Sequence, residues 1–176
     1  MTIGEPGSRG IDAFDGAVVL PRRLALDTSL VVEALIETEQ HHAECAAFLE
    51  RLADEQIEVC VSELLPIELA HAAVRVARRQ GLVPRTLVED VLGRWNLATS
   101  VLTLIEVPVR LVSDLALQFV MDHAVLSYDA VHAASAVALD AGAIAALDGD
   151  FAHLPEQVLS ILTVQARVTA LRDIRL

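Results

Sequence analysis

The sequence predicts an α/β fold: a single domain with a mostly parallel sheet of about four to five strands, flanked by helices. Short apolar runs rich in β-branched residues alternate along the chain with longer segments of helical spacing. Glycine, proline and small polar residues separate these segments. Such alternation is typical of parallel sheets covered by helices on both faces.

The predicted strands are short, and a helical segment follows each of them. They lie at about 24–26, 57–61, 102–107, 143–147 and 158–164. Helices are predicted at about 29–37, 39–54, 62–80, 84–99, 109–122 and 127–140. Residues 165–176 form an amphipathic tail whose state the pattern leaves open.

The domain boundaries follow from the same pattern. Residues 1–23 are rich in glycine and proline and predict a flexible leader, with a short packed strand as the alternative. The domain proper is expected to span residues 24–164, followed by the tail at 165–176. Whether the leader is an accessory segment or the true start is internal stays open.

Composition narrows the functional classes. The net charge of −12 argues against binding nucleic acid by bulk electrostatics, but it is compatible with a nuclease whose acidic pocket holds cations. No apolar run approaches the ~20 residues of a membrane span, and no signal peptide is visible. Cys45 and Cys60 lie in apolar surroundings and are expected to be buried free thiols. We therefore expect a soluble cytoplasmic protein.

Acidic residues occupy equivalent places in the predicted topology. Asp27 follows the first strand, Glu68 lies within two turns of the second strand, Asp129 opens a helix, and Asp148 follows the fourth strand. Since strand ends of one kind meet at one edge of a parallel sheet, these four side chains are expected to meet there. The alternative for Asp27 is a plain helix cap.

Four carboxylates in one place repel each other and take up protons unless a cation joins them. Mg²⁺, or Mn²⁺ in its place, is the natural cation for such oxygen ligands. A bound ion of this kind lowers the pKa of a water and offsets charge on a reacting phosphodiester. A hydrolase acting on phosphodiester bonds is therefore the first functional hypothesis.

Four segments resemble the successive motifs of PIN-domain proteins, and most closely those of VapC-type ribonuclease toxins. They are Ala25-Leu26-Asp27-Thr28-Ser29, Ser62-Glu63-Leu64-Leu65-Pro66-Ile67-Glu68-Leu69, Leu126-Ser127-Tyr128-Asp129-Ala130-Val131-His132-Ala133-Ala134 and Leu147-Asp148-Gly149-Asp150-Phe151. The resemblance implies a PIN fold and a magnesium-dependent endoribonuclease. It also implies a homodimer, the toxin of a type II toxin–antitoxin pair, inhibited by a cognate VapB-like antitoxin.

The resemblance also implies roles for single residues. Asp27, Glu68, Asp129 and Asp148 would be the catalytic, metal-binding acids, and Ser29 would support the first aspartate. The fourth motif has Ala146 where the family usually has a hydroxyl residue, and it offers Asp150 as a second candidate for the fourth acid.

Other residues have two interpretations each. Arg75, Arg78 and Arg79 share a helix face, which is either a solvated surface or a contact for RNA or a partner. His132 lies one turn after Asp129, but hard cations favour oxygen over nitrogen.

Two rival functions also follow from the residues. A non-catalytic PIN-like module that binds a partner is the main alternative to the nuclease. A phosphatase with Asp27 as nucleophile is disfavoured, because Ser29 stands where a second acid is usual. The sequence leaves open the RNA target and the number of metal ions.

Overall fold

A computed structural model of the protein describes residues 10–175, apart from the side chain of residue 127. Within that range the strands form one parallel sheet in the order β1-β6-β5-β2-β3-β4. Their bounds are β1 Ile11–Ala13, β2 Arg23–Leu26, β3 Glu58–Ser62, β4 Thr103–Val107, β5 Ala143–Ala145 and β6 Ser160–Thr163.

Helices connect the strands and cover both faces of the sheet. They are α1 Thr28–Leu35, α2 His42–Asp54, α3 Leu65–Gln80, α4 Pro84–Thr99, α5 Val109–His123, α6 Ser127–Ala138 and α7 Gln165–Arg175. A 3₁₀ turn, Asp150–His153, lies between β5 and β6. The predicted α/β class with a parallel sheet is confirmed.

Strand alternation divides the core into two layers. Leu24 and Leu26 of β2 pack with α1 to α4, whereas Ala25 between them packs with α5 to α7 on the opposite face. Successive side chains of a strand point to opposite faces, so a strand buried on both sides has no polar positions. This is why β2, after Arg23 at its start, is apolar from Leu24 to Leu26.

The sheet has one strand more than the predicted four to five, because β1 lies within residues 1–23. Ile11 of β1 pairs with Ile161 of β6, and Phe14 stacks on Phe48 with ring centroids 4.3 Å apart. The guanidinium of Arg51 donates to the carbonyls of Asp15 and Val18. The end of the predicted leader is therefore part of the fold; residues 1–9 lie outside the described residues.

The tail is also ordered, since α7 buries Val168 and Leu171 against the sheet. Arg172 of α7 donates to the carbonyl of Ile11, which ties the tail to β1. Both cysteines are buried free thiols, as predicted, and burial raises the pKa of Cys45 to about 12 and that of Cys60 to about 11. Among the described residues, no helix has the length and apolar character to cross a membrane.

Candidate metal centre

Asp27 is both a helix cap and a member of an acidic site. It follows β2 directly, and its carboxylate accepts from the backbone N–H of Ser29 at 2.8 Å, which caps α1. The same oxygen, Oδ2, accepts from the Ser29 hydroxyl at 2.5 Å. Its side chain is only 2% exposed. The two interpretations of Asp27 therefore do not exclude each other.

Two further aspartates lie beside Asp27. Asp129 comes from the first turn of α6, and Asp148 comes from the loop after β5. One carboxylate oxygen from each of Asp27, Asp129 and Asp148 lies within 4.8 Å of the others. β5 is the direct neighbour of β2, so the ends of these two strands bring Asp27 and Asp148 together. We call these three residues the aspartate group.

Asp129 and Asp148 hold their protons unusually tightly. Burial, followed by the charge of Asp27, raises the pKa of Asp129 to about 7. The same two causes raise the pKa of Asp148 to about 8. Buried carboxylates without a compensating cation favour the neutral form, and a bound cation reverses that preference.

One oxygen of the aspartate group has no hydrogen-bond donor within the described part of the chain. Asp148 Oδ1 is buried and unpartnered. Buried polar atoms without partners are rare, and they call for a water or an ion. The carboxylate set and this free oxygen together fit a hard divalent cation.

Asp150 lies at the border of the aspartate group. It begins the 3₁₀ turn and is exposed. Its charge adds to the rise in the pKa of both Asp129 and Asp148. The structure thus places Asp148 in the group of three and Asp150 next to it.

Glu68 is paired with His132 and is not among the three acids that lie within 4.8 Å of one another. It is in the first turn of α3, which begins at Leu65. Just before this helix, the Ser62 hydroxyl accepts a hydrogen bond from the Leu64 N–H. Glu68 Oε2 lies 2.7 Å from His132 Nε2 and accepts a hydrogen bond from the Thr28 hydroxyl. The sequence analysis expected Glu68 in one set with the three aspartates. Among the described residues, the group within 4.8 Å contains the aspartates without it.

The Glu68–His132 pair has the electrostatics of an ion pair. Burial is the largest influence on the pKa of Glu68 and raises it, but the hydrogen bond and charge of His132 together with the hydrogen bond from Thr28 outweigh burial, and the net pKa is lowered. Burial is also the largest influence on the pKa of His132 and lowers it, but the hydrogen bond to Glu68 and the combined charges of Asp27, Glu68 and Asp129 outweigh burial, and the net pKa is raised. An anionic carboxylate and a cationic imidazole are therefore both favoured.

Ser29 has the position expected of a supporting hydroxyl. Besides donating to Asp27, its Oγ accepts from the backbone N–H of Leu147 at 3.0 Å. It thus connects the loop after β2 with the loop after β5. Thr28, its neighbour, was missed by the sequence analysis, although a hydroxyl next to an acid at a strand end is a signal that could have revealed it.

The three arginines of α3 lie away from the aspartate group. Arg75, Arg78 and Arg79 are all exposed and lie in the C-terminal half of α3, beyond Glu68. Arg79 is paired with Glu39.

Comparisons with known proteins place this geometry in a family. The PIN domain family matches residues 24–157, so the chain belongs to the PIN-domain family. The fold resembles VapBC2 from Rickettsia felis, in a crystal structure bound to a DNA fragment from its promoter. The TM-score is 0.55 and the identity 16%, over 80% of this chain and 98% of that one.

A second solved structure resembles the chain to the same degree. It is PAE2754 from Pyrobaculum aerophilum, with a TM-score of 0.53 and 17% identity over 91% of this chain and 94% of that one. At these identities the likeness concerns the fold. No curated protein matches the chain.

Proposed function

We propose that the protein is a Mg²⁺-dependent endoribonuclease that hydrolyses RNA phosphodiester bonds as the toxin of a type II toxin–antitoxin system. The observation that carries the proposal is the aspartate group, in which three carboxylates from separate elements lie within 4.8 Å. Membership of the PIN-domain family supports it.

The residues that would hold the cation are Asp27, Asp129 and Asp148, with Glu68 as a fourth acid nearby. Their donors are hard oxygens, and Asp148 Oδ1 is buried without a partner among the described residues. When bound, Mg²⁺ or Mn²⁺ supplies charge that stabilises a reacting phosphodiester and lowers the pKa of an attacking water. Ser29 keeps Asp27 oriented, and burial of the site strengthens its field.

Neutralisation by an antitoxin follows from the same charges. An acidic protein with a net charge of −12 suits a basic partner. An arginine of a VapB-like antitoxin placed among the aspartates would neutralise their charge and donate hydrogen bonds to them, in place of a metal cation. The similar fold of VapBC2, whose crystal structure is bound to a DNA fragment from its promoter, supports the proposal of an antitoxin partner.

A homodimer that acts in the cytoplasm completes the proposal. The exposed apolar side chains of Leu111, Leu117 and Met121 on α5 are candidates for a contact with a second copy. Arg75 and Arg78 are candidates for a contact with RNA or with the partner. Arg79 is a weaker candidate, because it is already paired with Glu39.

The deciding experiment measures RNA cleavage and growth arrest together. The parent is expected to cut RNA with Mg²⁺ or Mn²⁺, to lose activity with EDTA, and to arrest growth when induced. Asp129→Asn should lose at least ~10³-fold in cleavage rate and should no longer arrest growth. Mapping of the cut ends in cells would identify the RNA target.

The outcomes separate the nuclease from the rival function. If the parent cut no RNA with either metal and Asp129→Asn were as toxic as the parent, the nuclease proposal would be wrong. A non-catalytic partner-binding module would then explain the fold. Capture of a basic antitoxin by both proteins would agree with that module.

A further inference from the structure

The environment of Glu68 is asymmetric at its two oxygens. Oε2 lies 2.7 Å from His132 Nε2 and also accepts from the Thr28 hydroxyl. Oε1 is buried and has no hydrogen-bond partner within the described residues. His132 itself is only 2% exposed. Two donors therefore hold one oxygen, while the second oxygen has none.

This asymmetry has an energetic meaning. A buried carboxylate oxygen without a donor is unfavourable, so such an atom persists where something else supplies the interaction. Two hydrogen bonds at Oε2 fix the orientation of the carboxylate and leave Oε1 as the acceptor for a bound water or cation. Without those donors the carboxylate of Glu68 is free to rotate, and Oε1 is no longer kept in one position.

The two donors belong to the elements that carry the aspartate group. Thr28 follows Asp27 directly at the start of α1, and His132 lies one turn after Asp129 on α6. Residues three apart on a helix share a face. The position of Glu68 relative to Asp27 and Asp129 is therefore set through Thr28 and His132.

We propose that His132 is a positioning residue of the metal centre, which together with Thr28 clamps Glu68 by one oxygen and keeps the other available to the bound cation or its water. The inference rests on the proposed function, because it assigns a cation to the aspartate group. A histidine that is only part of the core would leave cation affinity unchanged. The two roles are therefore separable by measurement.

The experiment measures Mn²⁺ binding directly, by the EPR signal of the free ion titrated with the full-length protein. His132→Leu keeps the volume but removes the donor, and it should weaken Mn²⁺ binding by about 10- to 100-fold, the range seen when a ligand loses its supporting partner. His132→Gln carries an amide N–H at similar reach and should restore most of the affinity. Ser135→Ala is the matched control, because Ser135 is also buried on α6 and, within the described part of the chain, its hydroxyl donates to the Val131 carbonyl rather than to an acid.

A second pair of variants tests the same clamp from the other donor. Thr28→Val removes the hydroxyl with little change in shape, and Thr28→Ser keeps it. The first should weaken Mn²⁺ binding and the second should not. This pair carries the test if His132→Leu does not fold, as judged by circular dichroism.

The combination with Glu68→Gln shows whether His132 acts through Glu68. The double variant His132→Leu/Glu68→Gln should bind Mn²⁺ no more weakly than the worse single variant. Additive losses would overturn the clamp, as would affinities of folded His132→Leu and Thr28→Val equal to the parent. A parent that bound no Mn²⁺ would overturn it too. Mn²⁺ binding that depends on the clamp, without RNA cleavage, would support the clamp and defeat the nuclease instead.

Discussion

The strand β2 has a charged residue at its start and another just past its end, and these two residues have opposite electrostatic environments. At the start, Arg23 lies opposite Glu58 of β3 and binds it at 2.6 Å, while a second guanidinium nitrogen donates to the Leu139 carbonyl. Past the end, Asp27 has two other aspartates as close neighbours.

The pKa directions express the same contrast. The hydrogen bond from Arg23 holds the pKa of Glu58 below its ordinary value. Burial and the charge of Asp27 raise the pKa of Asp129 and Asp148. The charges at the start of the strand are thus balanced by each other. Past its end negative charge exceeds positive charge among the described residues, because the nearby His132 is already paired with Glu68. That difference indicates which end awaits a cation from outside.

The largest effect is expected from Asp27→Asn. Cleavage of RNA should fall by at least ~10³-fold, because a ligand charge is lost. Stability should be retained, since Asn caps a helix as well as Asp and can accept from Ser29. Cleavage rates and urea unfolding of both proteins check this. An active Asp27→Asn, or one that fails to fold, would contradict the separation of the two roles.

The second largest effect is expected in the pH dependence of stability, to which the aspartate group past the end of β2 should contribute. Folding raises the pKa of Asp129 to about 7 and that of Asp148 to about 8, from about 3.9 in the unfolded chain. The folded state therefore binds protons more tightly than the unfolded state. Its stabilisation is complete below pH ~4 and is lost as the pH rises through 7 and 8.

This loss is measurable as the free energy of unfolding between pH 6 and 8.5 in EDTA. We expect a decrease on the order of 2–4 kcal/mol for the parent. Added Mg²⁺ should abolish most of it by binding the ionised form. Asp148→Asn should show a smaller decrease and a weaker response to Mg²⁺. An equal pH slope in parent and variant would show that the aspartate group is not its source.

The smallest effect is expected from Glu58→Gln, which removes the partner of Arg23 at the start of β2. Loss of a partly exposed ion pair should lower the melting temperature by no more than a few degrees, because such pairs contribute little. RNA cleavage and Mn²⁺ affinity should be unchanged. A loss of cleavage in this variant at a temperature where it is folded would show that the two ends of β2 are coupled.

The PIN-domain motifs were recognisable in the sequence because their chemistry is local. Asp27 stands where an apolar run stops and a helix starts, and both its capping and its place at the sheet edge follow from that position. Ser29 is two residues away, within reach of the same carboxylate. Asp129 lies in the first turn of α6.

Other features depend on contacts between distant segments. β1 has only three residues, too few to show a periodic pattern, and its partner β6 lies almost at the other end of the chain. The sequence pattern therefore does not predict this strand. The partner of Glu68 is His132, 64 residues later, and the spacing of His132 from Asp129 could not reveal which acid it would meet. The rotation of α3 and α6 about their axes decides which acid His132 contacts.

The sequence by itself determined the α/β class, the order of the elements from β2 to β6 and the edge of the sheet at which the acids are expected. These follow from hydrophobic period and strand direction, which are properties of neighbouring residues. The tertiary structure alone decided that Asp27, Asp129 and Asp148 form the group while Glu68 turns to His132, and that Asp150 stays at its border. Strand register and helix rotation set such distances, and both depend on the packing of the whole core.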